Sequence, residues 1–471
     1  PHRPGPEAQP GEEGEGGKDH GEHPHPLGGG PTSSTDEGRF EYPSRGALKG
    51  AHMSRTLKTI SLFTGAGGMD YGFEAAGFSI AVALDIDPIA AQTYTANRPE
   101  VPYIIRDIAS VSSEEILKVG KLKEGEASLL IGGPPCQPFS KAGYWVLGDS
   151  GRLEDPRAAT LQEYFRVVKE ALPEVIVLEN VHGIAYSGKE EGLLFIFDQL
   201  EQINRERGVS YEPYWQVLNA ADYGVPQLRQ RFFLVAHREG KVFNFPEPTH
   251  GPNGVVSKEY TVAWDALADI KVSEEELKSL KVRGKWADLL PSIPEGWNYL
   301  WHTDRGGGVP LFGWRTRYWN FLLKLAKAKP AWTITANPGP AIGPFHWENR
   351  RLSPRELAAL QTFPKEIKLM GSYRDVQRQI GNAVPSLLAE VIGRKILRDL
   401  LGKDLPSEKP LLRLEPKRPV PKPEPVQDVP KRYESLIGNH KPHPGTGKGP
   451  RSQRKVTQPA LFEELVDVAT E

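Results

Sequence analysis

Cysteine is almost missing from this chain: Cys136 is the only one in 471 residues. That excludes an internal disulfide, a paired-cysteine redox motif and any zinc or iron–sulfur site built from several thiolates. Taken alone, a single cysteine reads as a small buried hydrophobe. Net charge is also nearly absent, with 59 Lys and Arg against 60 Asp and Glu, so bulk electrostatics names no partner. No apolar run reaches the ~20 residues that span a bilayer, and the N-terminus lacks the basic-then-apolar order of a secretory signal. With a mean hydropathy of −0.46, the expectation is a cytoplasmic protein with no membrane partner. The length predicts two or three domains and a sizeable core.

The overall balance hides uneven ends. Residues 1–52 hold 12 glycines, 9 acidic and 5 basic residues, with too little apolar clustering to offset the entropy of ordering. They read as disordered, with Met53 as the natural start and the preceding residues as upstream or added sequence. Residues 403–471 form a second tail. Its first part, 403–455, has 13 basic and 6 acidic residues and a proline every few positions, which predicts an extended, mobile, basic linker. The closing LFEELVDVA fits a short amphipathic helix.

Between the tails, short apolar runs alternate with amphipathic stretches: TISLF (59–63), IAVAL (80–84), SLLIG (128–132), VIVLE (175–179), YWQVL (214–218) and RFFLVA (231–236). This alternation predicts an α/β fold, a mostly parallel sheet with helices on both faces, whose ligands bind at the carboxyl ends of the strands. Residues 53–239 are assigned to that domain. Residues 240–345 break the pattern with many glycines and prolines, and eight of the ten tryptophans fall within them or, like Trp347, at their margin. They predict a second, smaller, irregular domain. Residues 346–402 return to helical patterning and complete the first domain.

The candidate chemistry sits after the strands. Phe63-Thr64-Gly65-Ala66-Gly67-Gly68 follows the first one. Such a glycine turn lets a ligand approach the amides that open the next helix. It is not the dinucleotide fingerprint, because Asp70 stands where the last glycine belongs. Asp85 ends the second strand, where a carboxylate holds a ribose diol. Asp107 ends the third and can accept from an adenine amino group, while Phe63 can cover the adenine face. Acidic or aromatic tips on three strands, with no phosphate loop, point to S-adenosylmethionine. Cys136 lies in Gly132-Gly133-Pro134-Pro135-Cys136-Gln137-Pro138-Phe139-Ser140, a stiff turn that suits a positioned nucleophile better than a structural thiol. The glycine-rich stretch 137–155 reads as a loop able to close over a site.

FTGAGG, GGPPCQPFS, Glu179-Asn180-Val181, Gln227-Leu228-Arg229-Gln230-Arg231 and Gly381-Asn382-Ala383-Val384-Pro385 occur in this order. Together they closely resemble the bacterial DNA (cytosine-5)-methyltransferases of type II restriction–modification systems. The resemblance covers about 57–236 and 348–400, and RRLSPRELAALQTFP (350–364) is similar to the family's segment before its final motif. It implies a Rossmann-like, doubly wound S-adenosylmethionine-dependent methyltransferase fold, with target recognition in 240–345. The implied reaction is methyl transfer to carbon-5 of a cytosine flipped out of a specific duplex DNA sequence. Cys136 would attack carbon-6, Glu179 would serve ring nitrogen-3, and Arg229 and Arg231 would hold cytosine O2 and adjacent phosphates. Phe63, Gly65, Gly67, Asp85, Ile86, Asp107, Ile108, Pro134, Asn382 and Val384 would form the cofactor site, Ile86 standing where many members carry an aromatic. Ser140, Gln227, Arg305, Arg315 and Arg317 would touch DNA.

The residue types suit that reaction. Carbon-5 of cytosine is a poor nucleophile until a thiolate adds at carbon-6, and sulfur is nucleophilic near neutral pH. Addition is helped by a proton at nitrogen-3, which needs a carboxyl kept partly protonated by burial. A base in a duplex must leave the stack to meet such a site. No metal is expected, and the chain is expected to act as a monomer near the nucleoid of a bacterium or archaeon, with a cognate endonuclease encoded separately. Two other readings stand beside this one. A tRNA cytosine-5 methyltransferase would not need the insert of roughly a hundred residues, which suits a duplex-reading device. A catalytically silent DNA-binding relative would not need Cys136, Glu179 and Arg231 intact. For the tryptophans of 240–345 an aromatic mini-core is expected, leaving base readout to arginines and loop backbone.

Overall fold

The computed structural model describes residues 56–135, 159–185, 191–314 and 318–438. Each apolar run forms a strand: β1 Lys58–Leu62, β2 Ser79–Asp85, β4 Leu129–Gly132, β5 Val175–Val181, β6 Tyr214–Asn219 and β8 Gln230–His237. The short β3, Tyr103–Ile105, precedes Asp107. These seven strands form one sheet in the order β3-β2-β1-β4-β5-β8-β6. Neighbours from β3 to β5 pair in parallel, and β8 runs antiparallel to both β5 and β6.

Helices cover both faces, which is why β4 and most of β5 read as unbroken apolar runs. On one face lie α3 (Ser113–Val119), α4 (Ala159–Ala171) and α5 (Glu191–Arg207), burying Ile116, Phe165 and Leu200 against Ile60 and Ile176. On the other lie α1 (Gly68–Ala75), α2 (Pro88–Asn97) and α10 (Ser386–Asp399), burying Phe73, Tyr94 and Leu388 against Ile131 and Val177. Asp87 opens α2 by accepting from the amides of Ile89 and Ala90, with Pro88 at the first helical position. The chain leaves β1 toward β2 and β3 on one side, while β4 and β5 lie on the other. A crevice therefore opens beyond the carboxyl ends of β1 and β4, the switch point where doubly wound sheets take ligands.

After β8 the chain turns irregular. Short helices α6 (Ala263–Leu267) and α7 (Glu274–Leu280) precede a two-residue strand β9, Ala331–Trp332, which pairs in parallel with β7, Gln227–Leu228. Leu289, Ile293, Tyr299 and Leu322 form one apolar cluster there, with the rings of Trp286, Phe312 and Phe321 against it. A further cluster joins α6 and β9 to α8 (Pro354–Leu360) and α9 (Tyr373–Asn382) through Leu267, Ile334, Leu357 and Ile380. Several tryptophan rings pair with neighbouring rings, Trp264 with Trp347 and Trp319 with Trp332, whereas Trp297 and Trp314 stay exposed.

The expectation of a mobile basic linker fails for residues 403–438. They run as a strap along the body. Buried Glu390 accepts the amides of Leu411 and Leu412, and buried Asp265 accepts from the amide of Lys417 and the guanidinium of Arg418. Glu424 meets Lys327, which also holds Glu295. Tyr433, 3 % exposed, stacks on Trp286 at 5.5 Å. Composition marked the segment as extended, and prolines do favour extension. What it could not show is that acceptors distant in sequence wait for its amides. Among the described residues no helix is long and apolar enough to cross a membrane, and no cluster of three or more His, Cys, Asp or Glu could hold a metal ion.

Candidate functional site

The crevice beyond β1 and β4 is a cavity of about 500 Å³, within the range of cofactor sites. One wall is the turn after β1. Phe63 has φ 54, left-handed for a side chain other than glycine, a conformation that costs energy and is retained where a site needs it. Gly65 follows with φ 56. Its amide donates to Asp85 at 2.8 Å, and the amide of Asp87 donates to the other oxygen of the same carboxylate at 2.9 Å. Burial nevertheless raises the pKa of Asp85. A carboxylate has further acceptor capacity for a ligand's hydroxyl. Ile86 is 64 % exposed at this wall, an apolar face with no protein cover. Asp107, Ile108, Pro134, Asn382 and Val384 complete the lining. Asp107 also caps a short turn through the amide of Ala109, and Asn382 ends α9.

Gly67 does not line the cavity. It caps α1 with φ 82, and a Cβ there would come within 2.9 Å of the Tyr94 ring. Its role is to admit close packing of the turn. An acid that the motif left without a role, Asp70, lies beneath the same turn. It accepts from Ser61 and Tyr94 at 2.8 Å each, and burial pushes its pKa up to about 6 despite nearby Arg98.

The opposite wall carries Glu179 and Arg231. Glu179 pairs across the ladder with Phe233 and Val181 pairs with Arg231, so the two side chains are diagonal neighbours on one face. Arg231 Nε lies 3.0 Å from Glu179 Oε1. Burial pushes the Glu179 pKa up and the arginines pull it back, with burial the larger effect. Two neighbours fit the carboxyl in place. A Cβ on Gly133 would sit 2.9 Å from Glu179 Oε2, and Asn180 donates to the carbonyl of Pro134 at 3.2 Å. The sequence signalled both through the GGPP and ENV motifs, without revealing that one segment holds the other. The turn that leads to Cys136 lines the cavity as far as Pro135.

Two expected contacts are corrected. Arg229 is fully buried, and its guanidinium donates to the carbonyls of Ile334, Gly381 and Ala383. With no exposed surface it ties strands to the end of α9 instead of meeting a base or phosphate. Gln227, also fully buried, donates to the Leu360 carbonyl and accepts from the amide of Ile334, so its amide is not offered to DNA. Arg305 is exposed, its guanidinium 4.1 Å from the centre of the Trp314 ring. Cys136, Ser140, Arg315, Arg317 and the 137–155 loop lie outside the described residues.

Comparison with known proteins gives the same answer as the arrangement of β1, β4 and β5. The model of the C-5 cytosine-specific DNA methylase family matches residues 57–398. Type II methyltransferase M.SacI of Streptomyces achromogenes is 40 % identical over 390 residues, 76 % of this chain and 98 % of that protein. Type II methyltransferase M.AquIA of Picosynechococcus sp. is 45 % identical over 224 residues, 45 % of this chain and 88 % of that protein. A prophage-encoded E. coli protein described as a DNA modification methyltransferase shares the fold, with a TM-score of 0.54 at 23 % identity over 74 % of this chain and 100 % of that one. A family match across the sheet, the cavity and α10 settles the class: this chain belongs to the C-5 cytosine-specific DNA methylases and is a DNA (cytosine-5) methyltransferase.

Proposed function

We propose that the chain methylates carbon-5 of a cytosine rotated out of duplex DNA, through a transient bond between Cys136 and carbon-6. The observation that carries this reading is the buried Glu179 carboxyl, paired with Arg231, on the wall of the cavity where the turn leading to Cys136 enters. A carboxyl whose pKa burial has raised can supply a proton or hydrogen bond to ring nitrogen-3. Arg231 orients that carboxyl and has donors left for the O2 of the base.

The Cys136 thiolate adds to carbon-6, forming the carbon–sulfur bond and moving the ring electrons toward nitrogen-3, where Glu179 meets them. Carbon-5 becomes electron-rich. S-adenosylmethionine, when bound, supplies the methyl group that carbon-5 accepts. Solvent water then takes the carbon-5 proton, and the electron pair left behind re-forms the 5,6 double bond as the carbon–sulfur bond breaks and releases the thiolate. The cofactor fits the residues present. Asp85 keeps acceptor capacity for a ribose hydroxyl, Ile86 offers exposed apolar surface and Phe63 a half-buried ring for a base, and Asp107 stands at the third strand end. Residues 240–345 are assigned to target recognition, with Arg305 on its Trp314 support as a reader of base edges or phosphates. The relatives are named type II methyltransferases; this chain is assigned the same kind of role, at the nucleoid and beside a separately encoded endonuclease, as the motif resemblance implies.

Transfer of labelled methyl groups from S-adenosylmethionine to duplex DNA, with tRNA in parallel, tests the reading. Transfer to duplex DNA is expected, with complete loss in Cys136→Ala. Transfer to tRNA alone would overturn the substrate, and activity surviving in Cys136→Ala would overturn the covalent route. DNA carrying 5-fluorocytosine is expected to trap the wild-type chain, because fluorine cannot leave as the proton does.

A further inference from the structure

A second cavity, about 210 Å³, lies between the turns of 337–345 and the first turn of α9. Its polar lining comes from Asn337, Arg351, Tyr373, Arg374 and Gln377, and no Asp or Glu contributes to it. Gln377 is committed, donating to the carbonyl of Thr335 at 2.8 Å. The Tyr373 hydroxyl is committed to the carbonyl of Leu352. The two arginines are not. Arg351 rests 5.6 Å over the Tyr373 ring, Arg374 is exposed, and neither meets a carboxylate among the described residues. The nearest acid on α9, Asp375, caps the helix through Ser372 and pairs with Arg378. The amides opening α9 are therefore capped already, and the charge of the cavity is that of two unpaired guanidinium groups above an apolar floor.

We infer that this cavity seats a backbone phosphate of the DNA strand, held by Arg351 and Arg374, with the adjoining sugar against the floor. The ligand class follows from the lining: two guanidinium forks suit a phosphate, and the ring of Tyr373 and its apolar neighbours suit a deoxyribose. Position supports the strand as its source. The same helix that lines this cavity near its start lines the catalytic cavity at Asn382. Eight residues of helix separate Arg374 from Asn382, about 12 Å along the axis. That distance is on the order of three to four base-pair steps along the axis of a duplex. A duplex whose cytosine enters the first cavity passes the second within its own footprint. The inference rests on the proposed DNA reaction and adds to it a contact that fixes register without reading sequence.

The test is the salt dependence of duplex binding by the full chain, for wild type, Arg351→Ala, Arg374→Ala, the double variant and the two lysine replacements. Each alanine is expected to weaken binding several-fold on every duplex sequence. Each should also lower the slope of log affinity against log salt by about one. The lysine variants should keep the slope, and cofactor affinity and kcat at saturating DNA should stay within twofold. An unchanged slope in the double variant overturns the inference, as does a loss confined to one DNA sequence. Loss of inorganic phosphate binding without a change in the DNA slope overturns it too, because the site would then serve free phosphate. Methyl transfer by the wild type separates the two levels. Normal transfer with unchanged slopes removes the phosphate seat alone, while absent transfer removes the proposed reaction.

Discussion

Glu179 and Asp70 are both buried carboxyls with raised pKa values, yet they stand in different fields. Glu179 faces the cavity and has Arg231 at 3.0 Å, so its proton is available to a ligand. Replacing it by Gln keeps shape and removes proton transfer. Glu179→Gln is expected to lower kcat about 100-fold or more while leaving cofactor binding, read by titration calorimetry, unchanged. Asp70 borders the same cavity, but its oxygens are held by Ser61 and Tyr94, and its pKa is about 6 against 3.8 for the free side chain. A raised acid pKa means that the folded state keeps its proton while the unfolded state loses it. Its contribution to stability is therefore full below pH ~4 and lost as pH rises through 6, costing on the order of 3 kcal/mol above that. Asp70→Asn is expected to flatten the fall in Tm between pH 4.5 and pH 7.5, and an unaltered profile would refute the assignment. Asp70 shows the limit of reading single residues: its place in the motif excluded one fingerprint, but its partners Ser61 and Tyr94 come from other elements.

At the scale of elements, the sequence disclosed strands and motif order well, since apolar runs and glycine turns are local signals. It failed where a local break redirects a side chain. Arg229 and Arg231 are two apart, a spacing that places both on one face of a continuous strand. The strand is not continuous. β7 ends at Leu228 and β8 begins at Gln230, so Arg229 sits in the joint and turns inward while Arg231 faces the cavity. Arg229→Ala would take the side-chain donor from the carbonyls of Ile334 and Gly381, while Ala383 keeps that of Gln361, each loss costing roughly 1–3 kcal/mol unless water replaces the donor. A large drop in Tm is expected, together with weaker cofactor binding, because Gly381, Ala383 and Val384 border the cavity. Close helix packing makes a similar demand on α1. A Cβ on Gly72 would lie 2.3 Å from the carbonyl oxygen of Ser386 and 2.5 Å from Ala389 Cβ. Gly72→Ala is expected to push α10 away and to destabilise the fold by about 1–3 kcal/mol, read by thermal unfolding.

Across the whole molecule, what composition misjudged was the strap. Proline and charge are equally frequent in free linkers and in segments laid along a surface; the difference lies in Glu390, Asp265 and Trp286, which receive it. Tyr433→Ala removes a buried ring stacked on Trp286. Hydrogen exchange is expected to rise across 285–321 and to stay unchanged in β1 to β5, none of whose residues belongs to the apolar cluster that holds Tyr433. Uniform change across the chain would refute that separation.

The strap also sets an order of events during synthesis. Trp286 leaves the ribosome long before Tyr433, which comes 147 residues later. At the ~5–20 residues per second of translation, the ring of Trp286 waits roughly 7–30 s for Tyr433, and those of Phe312 and Phe321 wait somewhat less. In that interval an aromatic face stays open to chaperones and proteases. A chain cut short between Pro385 and Tyr433 would leave that face uncovered for good, marking the product for removal while its catalytic motifs were all in place.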